Sequence, residues 1–307
     1  VLSPQTTFGF AMRIQRRDAL TGLLFILPAL IIILGIILQP VVSSLYLSLF
    51  NASLSKNTRN IFIGLENYTS LLFDHTFWIT IWRTLYFTMV SVGLELVLGL
   101  SIAQLISRRP FGWKFLRVAL IIPWAIPTIV NGTMWRWIYN ADYGALNALL
   151  LAMGLINKYQ PWLISPWKAM NLVILADVWH SVTFIALILQ AAMATLPPEL
   201  EEAAAVDGAS SLQTFWLVRM PLLRSALLVA LVIRTVEAFR VFDIIYVITA
   251  GGPAFGTVTI SFLTYLETFS YGHVGRGAAI SFLVSVFTLV MALIYIRLLY
   301  RPEDRAL

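Results

Sequence analysis

From Ala19 to Ser55 no residue of this 307-residue chain is charged, and the stretch from about Ala19 to Val42 is apolar almost throughout. A bilayer core of about 30 Å is crossed by roughly 20 apolar helical residues, because without water only a helix or a closed barrel satisfies its own backbone N–H and C=O groups. The chain therefore folds in a membrane. Further apolar stretches at about 80–106, 116–138, 169–194, 222–248 and 278–299 predict six transmembrane helices, an all-α fold, and both termini on one side. Pro28 and Pro40 are expected to bend or end the first helix. That segment exceeds a signal-peptide core and no small-residue cleavage site follows it, so it reads as a retained span.

With 59% hydrophobic and 12% charged residues there is no room for a large soluble domain. The formal charge of +6 raises the question of nucleic acid, but the basic residues sit at segment ends and form no run with interleaved aromatics. The absence of cysteine removes disulfides and thiolate metal ligands.

Basic residues orient membrane proteins because they favour the cytoplasmic ends of spans. A cytoplasmic N-terminus places Arg13, Arg16, Arg17, Arg108, Arg109, Lys114, Arg117, Arg219, Arg224, Arg297, Arg301 and Arg305 inside, twelve of the 21 Lys and Arg residues. Lys56, Arg59, Lys158 and Lys168 fall in outer loops, with Arg83, Arg136 and Arg276 at outer helix ends. Phe77, Trp78, Trp162 and Trp167 suit the outer interface. The resulting organisation is a cytoplasmic tail (1–18), a transmembrane domain (19–299) containing a polar cytoplasmic loop (196–221), and a second cytoplasmic tail (300–307).

The polar loop reads as a helix-turn-helix. Pro198 suits a first helical position, where its missing N–H would be unpaired anyway, and Glu199, Glu201 and Glu202 complement the positive end of the helix dipole. Gly208 can take the left-handed conformation that stops this helix, Ser210 and Gln213 have the spacing of a capping box, and Pro221 is expected to end the second helix at the membrane surface. Ala203–Ala205 form a slim face that a partner's groove could accept, beside a carboxylate able to meet a basic group. An ordinary polar loop with a helical turn is the competing interpretation.

The order Glu-Ala-Ala, three residues, Gly, nine residues, aliphatic, any residue, aliphatic, Pro falls here on Glu202, Ala203, Ala204, Gly208, Val218, Met220 and Pro221. It resembles the EAA loop of permease subunits of ATP-binding-cassette importers, with Asp207 inside the motif; Val218 and Met220 stand where Ile and Leu are commoner. Phe62–Tyr68, Pro123–Pro127, Trp135–Trp137 and Tyr143–Asn147 resemble the carbohydrate-uptake branch, and Gly251–Pro253 with Thr257 its maltose-type first permease. The compact pattern is closest to six-span permeases such as those for trehalose in mycobacteria or glycerol phosphate in other bacteria.

The resemblance implies a type I importer fold, a loop that docks on a cytoplasmic ATPase, and four kinds of partner. These are a second permease forming a heterodimer, two ATPase subunits, an extracytoplasmic sugar-binding lipoprotein and the sugar itself, a disaccharide such as trehalose or maltose. A phosphate-cradling Gly-x-x-x-x-Gly-Lys-Ser/Thr loop is missing from this chain, which contains no Gly-Lys pair. ATP and Mg are thus expected on partner subunits, and no cofactor or metal here.

Ionisable residues inside spans are costly and usually face the bundle or a wet cavity. The candidate substrate path comprises Asn131, Trp135, Asp177, Trp179, Glu237, Arg240, Asp243 and Tyr246, since sugars are held by hydrogen bonds from carboxylates, amides and guanidinium groups and by aromatic stacking. Arg234, Glu237, Arg240 and Asp243 recur every three residues with alternating sign, which predicts pairing along one side of a single helix. Each also admits a structural reading: salt bridges in the fifth span, an interface anchor at Trp135, a satisfied imidazole at His180, and a Glu95 paired to a neighbouring helix. An ion-coupled transporter using Asp177 or Glu237 is a second class of function, and a membrane enzyme has no supporting motif.

Overall fold

A computed structural model describes residues 21–54, 60–108 and 111–299. The two tails lie outside those residues, as do Lys56, Arg59 and Arg109, so the orientation argued from them rests on sequence. The described chain is helical, apart from a two-residue antiparallel pairing of Phe50–Asn51 with Ile61–Phe62.

Among the described residues four helices are long and apolar enough to cross a membrane: Thr21–Ser48, His75–Ser107, Pro166–Ala194 and Val274–Arg297. The third and fifth spans are broken. Trp113–Ala125 and Thr128–Ile138 meet at 97°, and Ser211–Leu222 and Arg224–Phe239 at 68°, so six crossings are reached only when each bent pair is one span.

Each break has a local cause. In the third span, Ile126 is extended before Pro127, because the proline ring disfavours a helical conformation in the residue preceding it. The fourth span then holds the bent segment: His180 Nδ1 donates to the Pro123 carbonyl at 2.8 Å and Thr183 Oγ1 to the Leu120 carbonyl at 2.6 Å. In the first span, by contrast, Pro40 does not end the helix. The helix widens into a π turn over Ile33–Leu38 and continues to Ser48, and neither Pro28 nor Pro40 stops it.

The fifth span departs most from expectation. Its helix ends at Phe239 and a second one runs only from Asp243 to Ile248. No proline or glycine lies at this break. The interval is held instead by tertiary contact, with Thr259 Oγ1 donating to the Val241 carbonyl at 3.0 Å. The loop's second helix ends where Pro221 was expected to end it, one residue beyond at Leu222, and the chain turns at Leu223.

The second and fourth spans pack along each other as the centre of the bundle, the fifth packs against both, and the sixth lies against the fifth and the first. The buried core includes Phe87, Met170, Ile174, Ile244, Ile245 and Ile280. Among the described residues none in the most apolar stretch of the first span is buried, and its C-terminal end is held by the sixth span, with Ser44 Oγ donating to the Ala278 carbonyl.

Two sequence signatures prove to be clasps. Asn67 donates to the carbonyls of Ser48 and Phe50 at 2.7 and 3.0 Å while the Tyr68 hydroxyl meets Ser48 Oγ at 2.6 Å, tying the outer loop to the end of the first span. Asn147, fully buried, donates to the carbonyls of Asn140, Ala141 and Gln160 and accepts from the Gln160 N–H and Trp162 Nε1. Asn147→Ala leaves those buried loop groups unpaired, and about 2–3 kcal/mol of stability should be lost. Thermal unfolding of the purified protein measures this; an unchanged midpoint would show that the clasp is not needed.

Candidate functional site

The polar loop is built as its residues predict. A helix runs Pro198–Val206 with Pro198 at its first position, and Glu199 and Glu201 in its first turn. It stops at Gly208, whose φ is +78°, while the Gly208 and Ala209 N–H groups donate to the carbonyls of Ala205 and Ala204. These are the two bonds of a Schellman end, and they need a left-handed residue at that point. Ser210 caps the next helix and Gln213 caps it in return, forming the box expected from their spacing.

Glu202, Ala203, Asp207, Gly208 and Pro221 are exposed, and Ala204, Val218 and Met220 are half-buried. Glu202 makes no side-chain hydrogen bond or ion pair among the described residues, whereas Glu201 receives Nε and Nη2 of Arg219 and locks the two loop helices together. Val206, Leu212, Trp216 and Leu217 are exposed around the turn, Val206 to 87%. An apolar knob with a free carboxylate beside it is shaped to be covered by something else.

A cavity of about 470 Å³ opens where the third and fifth spans are broken. Asp177 and His180 from the fourth span line it together with Glu237, Arg240 and Asp243 from the fifth, and Trp124, Phe184 and Phe242 supply apolar faces. Non-helical backbone at membrane depth is tolerated where it is buried in protein or lines a cavity, and Arg240–Phe242 sit at such a place.

The charges do not alternate down one helix side. Arg234 is the centre instead. Its Nε and Nη2 donate to both oxygens of Glu95 at 2.7 and 2.8 Å, Nη2 also to Asp177 Oδ2 at 3.2 Å, and Nη1 to Glu237 Oε2 at 2.8 Å. Three spans meet on one guanidinium. Arg240 and Asp243 have no side-chain partner among the described residues, because the helix breaks between them and removes the three-residue geometry.

Four of the eight path candidates, Asp177, Glu237, Arg240 and Asp243, come together at the cavity. The other four lie elsewhere. Asn131 is fully buried with Nδ2 3.4 Å from the Ala176 carbonyl and Oδ1 unpaired; Trp135 packs between Trp179 and Tyr139 with its Nε1 buried and unpaired. Tyr246 stacks on Phe242 and meets Tyr265 edge-on.

Glu95 stood outside the path candidates. Its face was marked by Thr80, Thr84, Thr88 and Ser91, which recur at helical spacing and are all buried with it. The expectation that Glu95 pairs with a neighbouring helix holds, Arg234 of the fifth span being its partner, and this polar stripe on an apolar span is the signal that places it beside the cavity.

Residues 95–301 match the family model described as binding-protein-dependent transport system inner membrane component. Among curated relatives, the trehalose/maltose transport system permease protein MalF of Thermococcus litoralis is 39% identical, over 93% of this chain and 95% of that one. The sulfoquinovosyl glycerol transport system permease protein SmoG of Agrobacterium fabrum is 35% identical, over 94% and 92%. A crystallised bacterial ABC transporter involved in import of the acidic polysaccharide alginate has the same fold, with a TM-score of 0.78 at 21% identity over 94% of this chain and 97% of that one.

Proposed function

This chain belongs to the family of binding-protein-dependent transport system inner membrane components, a sugar permease of the ATP-binding-cassette importer type, and on that premise we propose that it forms half of the translocation path of a disaccharide importer. It is a transport subunit and not an enzyme. The second half comes from another permease, the energy from two ATPase subunits that bind ATP and Mg, and the cargo from an extracytoplasmic binding lipoprotein. The protein spans the cytoplasmic membrane several times, and both tails and the 196–221 loop face the cytoplasm in this reading.

The observation that most supports it is the loop turn: an exposed Glu202-Ala203-Ala204 helix, stopped by Gly208 and surrounded by uncovered Val206, Leu212, Trp216 and Leu217. Such a knob transmits force only if a partner grips it. Binding protein and ATP then bias an outward and an inward state by binding one better than the other.

Trehalose or maltose is the favoured cargo, supported by the relative whose name carries both sugars. Glycerol phosphate or another sugar derivative is the alternative, since relatives of similar identity bear other cargo names. An ion-coupled carrier is disfavoured: the broken spans would suit it, but the family and the docking loop do not.

Glu202→Lys reverses a charge on the knob without removing any side-chain hydrogen bond or ion pair among the described residues. It should leave the unfolding midpoint unchanged and abolish co-purification of the ATPase, with ATP-dependent uptake into proteoliposomes falling to background. An ATPase that stays bound to the variant, or uptake driven by an ion gradient alone, would overturn the assignment.

A further inference from the structure

The cavity at the broken spans has a one-sided polar lining. Asp177 and Glu237 share the guanidinium of Arg234, which also holds Glu95 buried behind the wall, and Asp243 stands in the lining with Arg240, so carboxylates outnumber guanidinium groups three to two in the lining and four to two with Glu95.

The free hydrogen-bonding atoms point the same way. Glu237 uses Oε2 on Arg234, which leaves Oε1 without a partner among the described residues, as are both oxygens of Asp243; Arg240 is the unpaired cationic donor opposite them. Ionised carboxylate oxygens accept and cannot donate. A ligand must bring O–H donors to them, and Trp124, Phe184 and Phe242 offer apolar surface for its C–H faces.

We propose that this cavity selects neutral polyols and rejects anionic sugar derivatives, with Glu237 and Asp243 as the specificity-determining residues. The inference rests on the sugar-permease reading and narrows it: a hydroxyl-rich disaccharide satisfies the carboxylates, whereas a phosphate or carboxylate ester brings further acceptors and a like charge. Inside a protein, charges a few ångströms apart interact several times more strongly than in water, so discrimination of at least about tenfold is expected.

The test uses the complete transporter, with its partner permease and ATPases, purified without the binding protein so that selectivity upstream does not enter. Equilibrium binding of radiolabelled maltitol is compared with that of maltobionate, which is a polyol of the same size carrying one carboxylate. Maltitol should bind at least about tenfold more tightly, and the ratio should fall at least about threefold in Asp243→Asn combined with Glu237→Gln. Retained ATPase co-purification reports that the variant is assembled.

Equal binding of the two by the wild type, or a ratio that does not move in the assembled variant, would overturn the inference while leaving the sugar reading intact. Binding of neither compound by an intact wild-type transporter would instead remove the sugar reading, and this inference with it. Should the double variant fail to assemble, the wild-type ratio by itself still decides: a value near one overturns the charge filter and a value above about ten supports it.

Discussion

Arg234→Met is expected to cost about 3–5 kcal/mol and leave little folded protein, one of the two largest effects of a single substitution predicted for this chain. The reason is not the attraction lost but the charges left behind. Glu95 is fully buried, so without the guanidinium it has neither a counter-charge nor water to replace it, and Asp177, 8% exposed at the cavity wall, loses its partner as well. Adding Glu95→Gln and Asp177→Asn to the same protein should restore most of the loss, because a cluster of neutral groups of similar size avoids the desolvation penalty altogether.

Glu237→Gln alone should cost less than about 1 kcal/mol, as its side chain is 58% exposed and its pair with Arg234 lies one turn away on the same helix. Thermal unfolding of the four proteins in nanodiscs separates these outcomes. If Arg234→Met unfolds at the wild-type midpoint, the hub does not hold the three spans together.

Gly275→Ala is the second. A Cβ built on Gly275 would lie 2.0 Å from the Phe50 carbonyl oxygen and 3.1 Å from the Ala52 N–H nitrogen, both backbone atoms that no rotamer change can move aside. The Gly275 N–H also donates to the Ala52 carbonyl at 3.0 Å, so the start of the sixth span is docked directly on the chain leaving the first. Forcing a methyl group into that contact should cost about 3 kcal/mol. Gly93→Ala is the control: nothing lies within 4 Å of its Cβ, and a mid-helix alanine should stabilise by about 1 kcal/mol. Equal midpoints for the two variants would show that the close approach is not maintained in the membrane.

The helix-turn-helix of the polar loop was legible because every device in it is local. Pro198, Gly208, Ser210 and Gln213 act on backbone groups within a few residues of themselves, so their order along the chain already specifies where one helix stops and the next begins. The kink in the third span belongs to the same class, since Pro127 restricts its own neighbour. Half of the path candidates were legible for a different reason: an ionised side chain in hydrocarbon has to face a cavity or a partner, and Asp177, Glu237, Arg240 and Asp243 do.

What could not be read is which partner each one takes. Helical spacing joined Arg234 to Glu237 correctly and then continued to Arg240 and Asp243, where the helix no longer exists. Pro40 was expected to bend or end its helix, yet the helix runs through it with a π turn before it, whereas the loop's second helix does end one residue beyond Pro221. Asn131 and Trp135 are polar in type but packed inside, and amino-acid identity alone does not say which face of a span looks at the cavity.

Amino-acid order by itself determined the solvent, the apolar segments, the helical class and the turn of the polar loop, because hydrophobic length and capping act over a few residues. Tertiary structure decided where the fifth span breaks, that Glu95 from the second span joins Asp177 on Arg234, and that a charged cavity lies beside them. Those features depend on groups far apart in sequence, Thr259 reaching Val241 and Arg234 reaching Glu95, and such meetings are set by packing between helices.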